Sequence, residues 1–117
     1  MRRRAAKAKT LSEYSAMWLV AMFDLPVDTP EARKRYTQFR KALLTDGFLM
    51  LQFSVYARYL EGEESATAHR RYIRNNLPPS GQVRVLAVTD HQFGKMEVFA
   101  GKKRGKSEDP PGQLLLF

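Results

Sequence analysis

The sequence contains no cysteine. Disulfides, thiolate nucleophiles and zinc–thiolate sites therefore lie outside its chemistry. Histidine is nearly as scarce: His69 and His91 are the only two, too few for an imidazole metal cage. No stretch approaches the ~20 consecutive apolar residues of a transmembrane helix, so no membrane partner is expected. The basic start is followed by no apolar segment before Met17, so no secretory leader is expected and the expected location is cytoplasmic. Acids are the minority charge, 12 against 20 Lys and Arg, for a formal charge of +8. Such a surplus on a small surface attracts polyanions, and counterion release makes nucleic acid the favoured partner. The plainer alternative is a solvated basic surface.

At 117 residues the chain has room for one domain with one modest core. Residues 1–16 form a basic N-terminal extension carrying Arg2, Arg3, Arg4, Lys7 and Lys9. Residues 17–100 carry the periodic segments of a fold. Residues 101–117 run through Lys102, Lys103 and Arg104 and a Pro/Gly-rich linker into the apolar tail QLLLF, which is expected to dock onto this chain or another, with Leu114, Leu115, Leu116 and Phe117 as the candidate partner-docking residues.

The run MWLVAMF, ending at Asp24 and closed by Pro26, predicts a buried central strand. Alternation puts Trp18, Val20, Met22 and Asp24 on one face and Leu19, Ala21 and Phe23 on the other. Both faces are apolar, so both are expected to be covered. Thr29-Pro30-Glu31 is a helix start, with a hydroxyl cap, proline in the first turn and an acid at the positive helix end. Ala32, Tyr36, Phe39 and Leu43 make its apolar stripe, and Gly47 is placed to end it. Two tightly joined strands are predicted over 48–53 and 55–60. A second helix is predicted over 65–77, with Ala66, His69, Ile73 and Leu77 on one face. A further strand follows over 83–89, and a short fifth strand over 96–99. Strand, helix, strand, strand, helix, strand is the ferredoxin-like α+β pattern βαββαβ, here with an extra C-terminal strand and tail. Its sheet order is 4-1-3-2, which makes the first strand central.

Asp24 is the unusual residue. A carboxylate ending a buried strand is costly unless paired, protonated or bound to a cation. It either caps backbone groups near Val27 and Asp28 or serves as an oxygen ligand for a hard divalent cation. One carboxylate cannot complete such a site, but Mg²⁺ retains waters and a two-fold dimer brings two copies of Asp24 together. The other acids fit blander roles: Asp28 a turn, Asp46 solvation at a helix end. Asp90 is removed by topology, because antiparallel first and fourth strands end at opposite edges of the sheet. The end of the first strand instead lies beside Ser54 and the start of the fourth, near Arg84. His69 reads as a core-edge residue and His91 as part of a turn; neither has an orienting acid identifiable in the sequence, and Ser54 sits in no nucleophile elbow. Basic clusters fall at Arg33-Lys34-Arg35, Arg40-Lys41 and Arg70-Arg71 with Arg74. Phosphate contacts from them would be salt-sensitive and blind to sequence. Tyr36, Tyr56, Tyr59 and Tyr72 are interleaved and suit either core packing or contacts to sugars and bases. An RNA-recognition module is disfavoured by the lack of its glycine–aromatic signature.

The segments FDLPV, QFSVY and VTDHQF, within residues 17–100, together resemble the CRISPR-associated protein 2 family in the form that accompanies type II systems. The resemblance implies a ferredoxin-like homodimer that works with the CRISPR-associated integrase in spacer acquisition, bridging two integrase dimers and holding duplex DNA. It also implies a Mg²⁺-dependent endonuclease acting on RNA or double-stranded DNA, with one Mg²⁺ shared by the two Asp24 residues of the dimer. The family's metal-binding aspartate falls on Asp24 and its serine on Ser54, with Tyr56 assigned beside Ser54 to orienting the substrate backbone. Its DNA-contacting positions fall on or near Arg33, Arg35 and Arg58; Lys34, Arg70 and Arg71 extend the basic surface. The extension over 1–16 departs from the family pattern. A catalytically inert, structural DNA-binding adaptor is the alternative.

Overall fold

The computed structural model describes residues 16–101, so most of the basic extension and the tail with Leu114–Phe117 lie outside the described residues. The elements run β1 (Met17–Asp24), α1 (Pro30–Thr45), β2 (Leu49–Gln52), β3 (Val55–Leu60), α2 (Glu63–Asn75), β4 (Gln82–Thr89) and the short α3 (Asp90–Gly94). The sheet has four strands in the order β2-β3-β1-β4, all pairs antiparallel. This is the ferredoxin-like arrangement, with β1 central.

The helices cover one face of the sheet. Leu19, Ala21 and Phe23 of β1 join Tyr36, Phe39 and Leu43 of α1, Tyr56 and Leu60 of β3, and Ala66 and Ile73 of α2 in a single buried cluster. The α1 stripe falls where a 3.6-residue period puts it. Thr29 caps α1 by accepting a bond from the Ala32 amide at 3.0 Å, and Pro30 opens the helix. At the far end Gly47 takes φ +91°, and the Arg58 guanidinium lies 3.1 Å from where its Cβ would stand, so this turn admits only glycine without rearrangement.

Three expectations change. The second helix begins at Glu63, earlier than expected: Gly62 serves as its cap, and Glu63 and Glu64 suit its positive end. It ends at Asn75, because Leu77 precedes Pro78 and the residue before proline is pushed out of the helical region. Leu77 is consequently exposed rather than on the buried face. The fifth strand over 96–99 has no ladder partner among the described residues. The chain leaves β4 through α3, held by a capping box in which Thr89 and Gln92 satisfy each other's backbone amides. Met96, Val98 and Phe99 are left exposed beyond it. Finally, the second face of β1 is not covered by helices. Trp18 stacks on Phe93 at 4.0 Å and meets Tyr59 edge-on, and Val20 and Ala57 at the centre of that face are buried, while Tyr59 and Leu86 around them are exposed.

Candidate functional site

The end of β1 is where the chemistry-bearing residues gather. Phe23 donates its amide to the Ser54 carbonyl at 3.0 Å, and Asp24 pairs with Gln82 of β4. Asp24 therefore lies beside the β2–β3 turn and the start of β4, as topology requires. Its backbone is tightly confined. Gly81 takes φ +95°, and a Cβ on it would come within 2.7 Å of both the Asp24 carbonyl oxygen and Leu25 Cδ2. The carboxylate itself is exposed and, among the described residues, makes no hydrogen bond or ion pair. The capping role is thus not taken up.

The strand register defines what surrounds it. Trp18, Val20, Met22 and Asp24 share a face with Val55, Ala57 and Tyr59 of β3 and with Gln82, Arg84, Leu86 and Val88 of β4. This open face is mostly apolar, with Leu86 52% exposed and Tyr59 also exposed, and Asp24 stands at its rim. Arg84 is exposed on the same face, opposite Met22, and donates to Gln82 Oε1 at 3.2 Å. Its proximity to Asp24 was legible only as a neighbourhood; counting alternate residues of β4 from Gln82 selects it.

Among the described residues, no three His, Asp or Glu side chains gather as a cation cage. At the end of β1 the chain thus offers the Asp24 carboxylate, exposed and, among the described residues, unengaged. That fits one half of a shared Mg²⁺ site, since Mg²⁺ is commonly held by one or two carboxylates plus water and phosphate oxygens.

The other site residues divide. Ser54 is half-buried at φ +68°, and its Oγ is 2.8 Å from the Tyr36 hydroxyl. Tyr56 is 1% exposed and packs against Phe23 in the core at 5.6 Å. It cannot orient a substrate from there; β3 alternation turns it to the helix side. Tyr36, assigned no such role, is the tyrosine bonded to Ser54. Lys34, Arg35 and Arg71 are exposed. Arg33 spends one guanidinium nitrogen on the Val27 carbonyl at 3.1 Å, and Arg70 pairs with Glu63 at 2.9 Å. Arg35 and Tyr36 line a groove of about 390 Å³ with Leu25, Pro26, Asp28 and Ser80.

Arg58 belongs to an internal tie. Its Nε donates to His69 Nε2 at 3.2 Å, while His69 Nδ1 lies 2.5 Å from Asp46 Oδ2. Accepting from Arg58 fixes the proton of a neutral imidazole on Nδ1, facing Asp46. Two expectations are corrected here: His69 does have an orienting acid, and Asp46 is not merely solvated. The fold brings together three elements whose residues are far apart in sequence, so no local pattern announces the contact. With Nε2 already engaged, the group joins α1, β3 and α2 rather than activating a nucleophile. At the opposite end of β1, Asp90 accepts from Trp18 Nε1 at 2.8 Å, away from Asp24.

Among the described residues, no helix is long and apolar enough to cross a membrane. The family model described as "CRISPR associated protein Cas2" matches residues 17–96. A protein of Parvibaculum lavamentivorans named CRISPR-associated endoribonuclease Cas2 is 52% identical over 101 residues, covering 86% of this chain and 100% of its own. A protein of the same name from Flavobacterium psychrophilum is 47% identical, covering 92% of this chain and 93% of its own. One from Streptococcus mutans is 42% identical, covering 74% of this chain and 80% of its own. The matched residues contain the whole sheet and both long helices, and with them Asp24, Ser54 and the confined turn at Gly81: the chain belongs to the CRISPR-associated Cas2 family.

Proposed function

We propose that this chain acts as a homodimeric, Mg²⁺-dependent endonuclease that also serves CRISPR spacer acquisition as a basic strut, binding duplex DNA and bridging integrase dimers. The observation that carries the reading is the position of Asp24, an unengaged carboxylate at the rim of an uncovered apolar sheet face. Burying such a face against a second copy removes apolar area from water, at roughly 25 cal/mol per Å². A two-fold axis close to the Asp24 end would bring the two carboxylates together and make one site from two halves.

Bound there, Mg²⁺ would supply charge stabilisation at the scissile phosphate and a more acidic water. The chain's own residues do the rest. The two Asp24 carboxylates hold the cation, and Gly81 and the Phe23–Ser54 backbone bond fix where they stand. Arg84, on the same face, is placed to meet a phosphate oxygen. Lys34 and Arg35 near the start of α1, with Arg71 on α2, give the sequence-independent attraction that holds the backbone of RNA or DNA. The relatives' name, endoribonuclease, favours RNA as the cleaved strand. The charge of +8 favours the strut role independently of any cutting.

The test assays purified protein on single-stranded RNA and duplex DNA with Mg²⁺, beside Asp24→Asn, and repeats both in an integration assay with the integrase. Asp24→Asn should lose cleavage by at least about a hundredfold, the scale on which a catalytic metal ligand contributes, while integration persists. Equal cleavage by both proteins would sink the nuclease reading; loss of integration with Asp24→Asn would sink the separation of strut from nuclease.

A further inference from the structure

Phe53 is 73% exposed at the β2–β3 turn. An exposed phenyl is ordinary on a protein surface; the way this one is held is not. It stacks on Tyr36 with ring centroids 5.5 Å apart and planes 19° from parallel. Tyr36 is buried, packs against Phe23 at 5.7 Å, and has its hydroxyl 2.8 Å from Ser54 Oγ. Ser54 in turn holds φ +68°, a left-handed conformation that costs a residue with a side chain free energy and persists only where its surroundings enforce it. The phenyl ring is thus backed by a fixed aromatic partner, and most of its surface faces solvent.

We infer that Phe53 is a stacking platform for an unpaired base of single-stranded nucleic acid. A ring already immobilised loses little side-chain entropy when a base settles on it, and every base has a face that can stack. The ring lies on the helix side of the sheet with Tyr36, opposite the apolar face given to the second copy, so that copy does not account for it. Cations are near: Arg35 shares a groove with Tyr36, and Lys34 is exposed beside it in sequence. The site is also coupled to Asp24, because Ser54, the residue after Phe53, accepts the amide of Phe23, the residue before Asp24. The inference rests on the nucleic-acid reading above and narrows it. Bases within a duplex are already stacked on one another, so the platform selects single-stranded or frayed substrate.

The test measures binding of a short labelled oligoadenosine RNA, and of an RNA duplex of equal length, to full-length wild type, Phe53→Ala, Phe53→Leu and Phe53→Trp over a salt series. Phe53→Ala and Phe53→Leu should weaken single-strand binding about tenfold, leave duplex binding unchanged and keep the wild-type salt slope, because no phosphate contact is lost. Phe53→Trp should retain single-strand affinity. Single-strand binding by Phe53→Ala equal to wild type overturns the inference while leaving the nuclease reading intact. A changed oligomeric state, with both strand forms weakened alike, also overturns it and assigns the ring to a protein interface. Failure of wild type to bind either form overturns both readings.

Discussion

At the scale of single residues, the site is a matter of which polar groups are engaged and which are left over. Tyr36 and Ser54 satisfy each other at 2.8 Å. Tyr36→Phe should therefore lower stability by about 1 kcal/mol, the usual net value of such a bond, read from urea unfolding midpoints. A change much below that would mean that water already replaces the contact. Asp24 has no partner among the described residues, so Asp24→Asn should leave the unfolding midpoint nearly unchanged while removing metal-dependent cleavage. Asp24 was legible in the sequence because a carboxylate closing an apolar run conflicts with its setting. Tyr36 was legible as part of the α1 stripe but not as the partner of Ser54, and the exposure of Phe53 was not legible, because an aromatic run does not say which ring faces solvent. Only the left-handed turn at Ser54, which no local pattern specifies for serine, separates the buried ring from the exposed one. The Asp46–His69–Arg58 tie was invisible for a different reason: it joins three elements across the fold.

At the scale of elements, the strands and long helices follow from alternation, caps and helix breakers, and their order alone gives the sheet. The errors lie where a chain end or a neighbour decides. Whether residues 96–99 form a strand depends on an available sheet edge rather than on their own β-forming side chains, and α3 turns the chain before any ladder forms. The turn from α2 into β4 makes a sharper prediction. Gly81→Ala combines a positive φ with contacts of 2.7 Å to the Asp24–Leu25 segment, so it should destabilise by more than about 2 kcal/mol. It should also impair cleavage in the fraction that remains folded, because the backbone carrying Asp24 must move. Wild-type stability in Gly81→Ala would mean that the turn relaxes without disturbing the strand end.

At the scale of the whole molecule, the two faces of the sheet differ. One sheet face is sealed by helices, whereas the other presents Tyr59 and Leu86 with a partly exposed Met22, and Met96, Val98 and Phe99 are exposed beyond α3. Leu86→Asp should leave the monomer folded, since Leu86 is 52% exposed. It should shift the chain from dimer to monomer in sedimentation velocity and abolish cleavage together with dimerisation. A dimeric Leu86→Asp would place the subunit contact elsewhere. Both faces of β1 are apolar, so the sequence disclosed that a cover was needed, but one sequence cannot distinguish a helix of its own from a second copy. The central claim is that a cation site exists only between chains, with one Asp24 from each. The most direct measurement counts Mn²⁺, as a stand-in for Mg²⁺, by electron paramagnetic resonance titration of wild type and Asp24→Asn. One ion per two chains in wild type, with that binding lost in Asp24→Asn, is the predicted result; one ion per chain, or equal binding by the two proteins, would contradict it.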